Sequence, residues 1–195
     1  MKVTNYLLGY KDLKIVQDNE MFNFSLDSVL LPNFVTLNQK IDRILDIGCG
    51  NAPIPLILST KTNASITGVE IQKEVYDLAL ESVKINKNDY KTIARHEVKL
   101  NLNQLFSIAK KLLKNNGVIA IVHRPERFVE VVEEMKKNNI EPKRVQFVYP
   151  KKNMEANIML IEGSKNGKPG LKILPPIYSH KDNGEYTEDV KKYFE

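Results

Sequence analysis

Arg43-Ile-Leu-Asp46-Ile-Gly48-Cys49-Gly50-Asn51-Ala52-Pro53-Ile54 is the stretch on which the fold turns. Arg43 to Ile47 is short and mostly apolar, as a buried strand requires. Gly48 and Gly50 then allow torsions and close approaches that a side chain blocks. Pro53 suits the first position of a helix, where its missing N–H is not needed. A strand that runs through a glycine turn into a helix N-terminus is a ready site for a nucleotide-like ligand.

Working outward, Ile54–Ser59 continues as the helix, and Ser65–Ile71 reads as a second strand with Glu70 at its C-terminal end. Lys73–Ile85 is predicted helical, with Val75, Leu78, Ala79, Ser82 and Val83 on one face and Glu81 and Lys84 on the wet side. Strand, helix, strand, helix is the start of an α/β fold, a doubly wound and mostly parallel sheet. Upstream, residues 1–20 read as a polar lead-in with one short strand around Leu13–Gln17. Ser25 or Asp27 is placed to cap a helix over 26–37, although Pro32 interrupts its pattern. Downstream, Leu102–Leu113 and Phe128–Asn138 are amphipathic helices, and Val118–His123 is a buried strand between them. Val145–Tyr149 and Ala156–Glu162 form an antiparallel pair at the sheet edge. Residues 163–182 are a Gly/Pro/Lys loop, and Thr187 caps a last helix to Phe194. The expected division is a lead-in and helix at 1–37, a main domain at 38–165 and a tail at 166–195.

The spacing decides between ligands. A dinucleotide turn needs a third glycine where this chain has Pro53, and a phosphate loop needs Gly-Lys-Ser/Thr. What remains is Asp-x-Gly-x-Gly-x-Ala, with Glu70 placed 20 residues beyond Gly50. A carboxylate there can accept two hydrogen bonds from ribose hydroxyls, and Asp46 can orient the turn or hold a cationic amino group. A ligand with a ribose and an ammonium but no diphosphate fits, namely S-adenosylmethionine. Cys49 reads as a small residue that fills the turn, since no base is recognisable beside it.

Composition bounds the rest. The chain has 195 residues with 42% hydrophobic and 27% charged, enough for one α/β domain. One cysteine excludes an internal disulfide and a zinc cluster. No run approaches the ~18 apolar residues of a membrane span, and the N-terminus does not resemble a signal peptide, so the cytoplasm is the expected location. Net charge is +5, unevenly spread: residues 1–83 carry −3, residues 84–152 carry +9 and residues 153–195 carry −1. The basic middle third is either a lysine-rich composition or the footprint of a polyanion such as RNA. Arg95, His96, Arg124, Arg127, Lys151 and Lys152 fall at expected strand ends or loops, where a phosphate backbone is gripped. Tyr90 is either a base-stacking residue or a plain surface or core tyrosine. His96 and His123 have no third ligand at metal spacing, so no metal is expected. The oligomeric state is left open.

Asp46-Ile-Gly-Cys-Gly-Asn-Ala-Pro53 resembles the first motif of the class I S-adenosylmethionine-dependent methyltransferases. Gln17–Leu31, Lys91-Thr-Ile-Ala-Arg-His-Glu97 and Val122-His-Arg-Pro-Glu-Arg127 resemble the bacterial tRNA adenine-N6 methyltransferases, which modify the adenine next to the anticodon of a valine tRNA. The resemblance covers nearly the whole chain. It implies that Phe24–Ser28, with Phe24 and Ser25 foremost, line the methionine end of the cofactor. It implies also that Asp46, Gly48, Gly50, Asn51 and Ala52 wrap the cofactor, and that Glu70 and Ile71 meet its ribose.

One part of the family pattern is missing. Those enzymes carry Asn-Pro-Pro-Tyr after the fourth strand, where it holds the adenine amine and stacks on the flipped base. The nearest string here, Leu174-Pro-Pro-Ile-Tyr178, lacks the Asn and falls after the last strand, so it reads as a linker. Strand three, a helix and strand four also have no room between Asn86 and Tyr90. A segment of βαβ size, about 30 residues or more, is therefore expected in the protein as made. The alternative is a real deletion that leaves a cofactor- or RNA-binding pseudoenzyme. A methyltransferase for a protein or small molecule is a further alternative.

Overall fold

The structure is a computed structural model, which describes the chain except residues 8, 9, 11, 22–24, 87–91, 96–99, 194 and 195. It divides into two compact units, residues 1–99 and residues 100–193.

In the first unit, β1 (Lys2–Tyr6) and β2 (Lys14–Asp18) form an antiparallel hairpin. The lead-in is therefore more ordered than expected. The reason is a consecutive buried run: Ile15, Val16 and Gln17 are all fully or nearly buried in β2, while β1 is mostly exposed. Helix α1 spans Leu26–Phe34, with Ser25 at the N-cap position but no cap bond from its side chain. Pro32 stands near its end, and the helix stops two residues later. Strand β3 (Arg43–Ile47), helix α2 (Pro53–Ser59), strand β4 (Ser65–Glu70) and helix α3 (Lys73–Ile85) follow the expected order. Leu56, Ile57 and Leu58 of α2, with Leu78 and Ala79 of α3, supply its apolar core.

The segment after Asn86 departs from expectation. Thr92–Arg95 forms β5, which pairs in parallel with β4 and completes the order β3-β4-β5. Thr92–Arg95 thus takes the edge position of a third parallel strand beside β4. The basic, polar run supplies four strand residues because β4 offers an open edge to pair with. Among the described residues no strand pairs with the other edge of β3.

The second unit holds α4 (Leu102–Leu112), β6 (Val118–His123), a 3-10 turn at Pro125–Arg127, α5 (Phe128–Lys137), β7 (Ile140–Tyr149) and β8 (Ile158–Lys165). Asn101 caps α4 by accepting from the Gln104 N–H at 2.9 Å, and the Gln104 side chain accepts from Asn101 N at 3.1 Å. Phe106, Val131, Met135, Ile140, Val145, Met159 and Ile161 form one buried cluster. Gly163 in β8 is required by that packing, since a Cβ there would lie 2.1 Å from the Met135 terminal methyl. The expected antiparallel pair is present as β7 and β8, but β7 begins at Ile140, five residues early. Arg144 explains part of that extension: its guanidinium donates to both Glu162 oxygens, at 3.1 and 3.2 Å, across the pair. Strand β6 pairs only with β8 among the described residues, so its six residues are half-buried rather than buried.

The Gly/Pro/Lys loop contains two short strands, β9 (Lys172–Ile173) and β10 (Ile177–Tyr178), both parallel to β7. Helix α6 is confined to Glu188–Lys191. The Thr187 hydroxyl does not cap it, because it donates to the Tyr178 carbonyl instead.

Candidate functional site

The turn after β3 is shaped by its backbone. Gly48 and Gly50 take φ of +76° and +57°, and a Cβ on either would meet nothing within 4 Å. Their outward faces are therefore open. Ala52 also takes a left-handed φ, 74°, which costs a non-glycine about 1–2 kcal/mol. The turn is held against that strain. Gly48 N and Cys49 N both donate to the Val69 carbonyl, at 2.8 and 3.0 Å.

Glu70 is the second fastening. Its Oε2 accepts from Gly50 N at 3.0 Å, and its Oε1 accepts from Ile71 N at 2.8 Å and Gln72 N at 2.9 Å. The residue is 6% exposed. It braces the turn from below, and its Oε2 keeps one lone pair for another donor.

Asp46 lies beside it with an unmet need. Its Oδ2 is buried with no hydrogen-bond partner. Burial, and then the charge of Glu70, push its carboxyl up to about 7. An orphaned buried acceptor is costly, and a cationic donor would satisfy it. Cys49 is buried, and burial with the Asp46 and Glu70 charges pushes its thiol far up. The thiol stays protonated, which removes it as a nucleophile.

The structure places the other candidates as follows. Ala52 is fully buried, and Ile71 is half-buried just beyond β4. Asn51 is buried too, and its amide donates to the Val16 carbonyl at 2.8 Å. Phe24, Tyr90 and His96 lie outside the described residues. Arg95 ends β5, in register with Glu70 at the C-terminal end of β4.

In the second unit, register gathers the remaining basic candidates. His123 pairs with Met159, and Val148 pairs with Ile158. The end of β6, the end of β7 and the start of β8 therefore share one end of the sheet. Arg124, Arg127, Lys151 and Lys152 all follow those strand ends. Arg124 and Lys152 are exposed, Arg127 forms an ion pair with Glu130, and Lys151 donates to the Asp182 carbonyl at 3.1 Å. Among the described residues, no cluster of three or more His, Cys, Asp or Glu side chains can hold a metal, and no helix is long and apolar enough to cross a membrane.

Structural comparison decides the fold. A predicted O-methyltransferase from Agrobacterium tumefaciens matches with a TM-score of 0.73 at 17% identity, over 86% of this chain and 94% of that one. A tRNA m1G37 methyltransferase from M. jannaschii matches at 0.62 and 19% identity, over 80% of this chain and 53% of that one. The fold is that of the class I methyltransferases. No protein-family model matches the chain. Among curated proteins, the tRNA1(Val) (adenine(37)-N6)-methyltransferase of Flavobacterium psychrophilum is 23% identical over 217 residues, covering 82% of this chain and 93% of that protein. Its namesake from Parabacteroides distasonis is 23% identical over 235 residues, covering 98% and 99%. Eighty-two per cent of this chain is about 160 residues, so the Flavobacterium alignment holds about 57 positions with no residue of this chain. The Parabacteroides alignment holds about 44.

Sequence reasoning missed the fastenings around the hairpin. Ser82 sits among the apolar residues of α3, and its hydroxyl accepts from Val16 N at 2.9 Å. Asn86 accepts from Lys14 N at 2.8 Å and donates to the Lys14 carbonyl at 2.6 Å. A hydroxyl on a buried helix face was the available signal, because a buried polar group needs a partner.

Proposed function

We propose that this chain is the framework of an S-adenosylmethionine-dependent tRNA adenine-N6 methyltransferase of the cytoplasm. The observation that carries the cofactor reading is the orphaned Asp46 Oδ2 beside two left-handed glycines with open faces. That site fits the group. Asp46 would hold the ammonium, the Gly48–Ala52 backbone would bound the nucleoside, and Glu70 with Ile71 would meet the ribose. A full ribose clamp asks Glu70 to release Gly50 N, because only one lone pair of its Oε2 is otherwise free. When bound, S-adenosylmethionine supplies an electrophilic methyl group for transfer to a nitrogen. The contribution of the chain is positioning and charge.

The substrate reading rests on the names of the curated relatives and on charge. Residues 84–152 hold the basic excess, and four of its cations follow strand ends at one end of the second unit's sheet. Phosphate contacts of that kind position RNA without reading its sequence. Tyr90, Arg95 and His96, in the first unit, are proposed to contact RNA as well.

A second reading is favoured by one specific absence: no Asn-Pro-Pro-Tyr occurs in the 195 residues. On that reading the protein binds cofactor or RNA without transferring methyl. The 44 to 57 unmatched aligned positions are what the absence of a segment of βαβ size from these 195 residues leaves, and they fit both readings.

One experiment separates them. The protein is purified from its source, its intact mass is measured, and labelled methyl transfer to unmodified valine tRNA is followed. The expected result is a mass several kDa above 22.3 kDa together with transfer. A mass near 22.3 kDa with no transfer establishes the non-catalytic reading. Transfer to a protein or metabolite in place of tRNA ends the RNA assignment.

A further inference from the structure

Strand β2 has two edges. One pairs with β1, in the register Lys2↔Asp18 through Tyr6↔Lys14. The other has no strand partner among the described residues. Its backbone groups are met by three side chains instead. Asn86 takes both the N–H and the carbonyl of Lys14, and the Ser82 hydroxyl takes the Val16 N–H. The Val16 carbonyl is met by Asn51. Two of these side chains come from the end of α3, a rigid helix. The third comes from the glycine turn itself, between Gly50 and the strained Ala52.

Asn51 is the expected cofactor contact whose side chain is committed elsewhere. At 7% exposed, its amide faces the hairpin rather than the open faces of Gly48 and Gly50. The hairpin runs on through Asp18 and Glu20 toward Ser25, so whatever fixes β2 also fixes where that connection begins. We propose that Asn51 is a positioning residue. It ties the conformation of the glycine turn to docking of the N-terminal hairpin, so that occupancy of the turn and docking of β1 and β2 favour one another. This inference rests on the cofactor reading above.

The physical logic is linkage. A ligand that prefers the ordered turn stabilises the hairpin only through a contact joining the two, and the coupling is reciprocal. The Asn51 to Val16 hydrogen bond is such a contact, and it is shielded from water. The Ser82 and Asn86 bonds hold the hairpin to α3 but do not touch the turn. Loss of Asn51 and loss of Ser82 therefore have different signatures, although both loosen β2.

The test is hydrogen exchange at the β1 and β2 amides, with and without saturating S-adenosylhomocysteine, on wild type, Asn51→Ala and Ser82→Ala. Calorimetry confirms binding for each protein. In the wild type, ligand raises hairpin protection. In Ser82→Ala, basal protection falls about five- to tenfold, as for one ordinary hydrogen bond, and ligand still raises it. In Asn51→Ala, basal protection falls similarly, ligand binding weakens by about the same factor, and the ligand-dependent rise disappears. A rise in Asn51→Ala equal to that of the wild type overturns the proposal, as does a wild type that binds ligand with no change in the hairpin. Absence of binding heat in the wild type at two well-separated temperatures overturns the cofactor reading, and the coupling with it.

Discussion

Asp46→Asn is expected to stabilise the protein at pH 8 and to remove its cofactor affinity. The sign follows from the raised carboxyl. In the unfolded chain Asp46 titrates near its ordinary 3.8, and in the fold near about 7. Between those values the folded state holds the extra proton, so stability falls as pH rises through that window. About three pKa units at 1.36 kcal/mol each set an upper bound of about 4 kcal/mol for keeping the ionised group buried. A buried amide lacking partners returns about 1–3 kcal/mol of that. The net gain at pH 8 is about 1–3 kcal/mol, or several degrees in melting midpoint for a chain of this size. At pH 5, inside that window, only the unfolded wild type is ionised and about 1.6 kcal/mol has been lost in place of about 4, so the advantage of the variant shrinks to about zero or reverses. With S-adenosylhomocysteine present the ranking reverses at pH 8, because only the ionised wild type offers a charge to the ammonium. Melting curves at the two pH values, with and without ligand, read all four states. Equal midpoints for the free proteins at pH 8 would refute the assignment of a buried, unpaired carboxylate.

Glu70→Ala is expected to be strongly destabilising for a single polar substitution. Three backbone N–H groups lose their acceptor at once, those of Gly50, Ile71 and Gln72. Hydrogen bonds to charged groups contribute about 1.5–3 kcal/mol each. Water recovers some of them, so the expected loss is about 3 kcal/mol or more, against a typical net stability of ~5–15 kcal/mol. Glu70→Gln keeps one carbonyl oxygen and lowers stability by about half as much. Chemical denaturation of the three proteins measures this. A Glu70→Ala protein within 1 kcal/mol of wild type by that measurement contradicts a bracing role and leaves Glu70 as a ligand contact alone.

Much of this was legible in the sequence where local chemistry and tertiary demand agree. Strand β3, the start of α2 at Pro53, α3 and β6 have the bounds that periodicity and turn residues imply. Glycines that need positive φ, and a proline at a helix start, are local signals. Where pairing across distance decides, the sequence is silent. Thr92–Arg95 becomes β5 only because β4 has an edge to offer. Ile140–Arg144 joins β7 because Glu162 lies opposite Arg144. Asn51 reads as a ligand contact from its motif, and only the fold shows Val16 within its reach. Glu70 likewise reads as a ribose acceptor, and only the fold shows how many backbone donors already hold it.

The turn from Asp46 to Pro53, together with Glu70, is the proposed seat of the adenosine ligand. Titration of S-adenosylhomocysteine into isotope-labelled protein, followed by backbone amide spectra, tests it most directly. Saturable shifts at Gly48, Cys49, Gly50, Ile71 and Gln72 are predicted. No shift at those amides, or saturable shifts confined to residues 100–193, would contradict it.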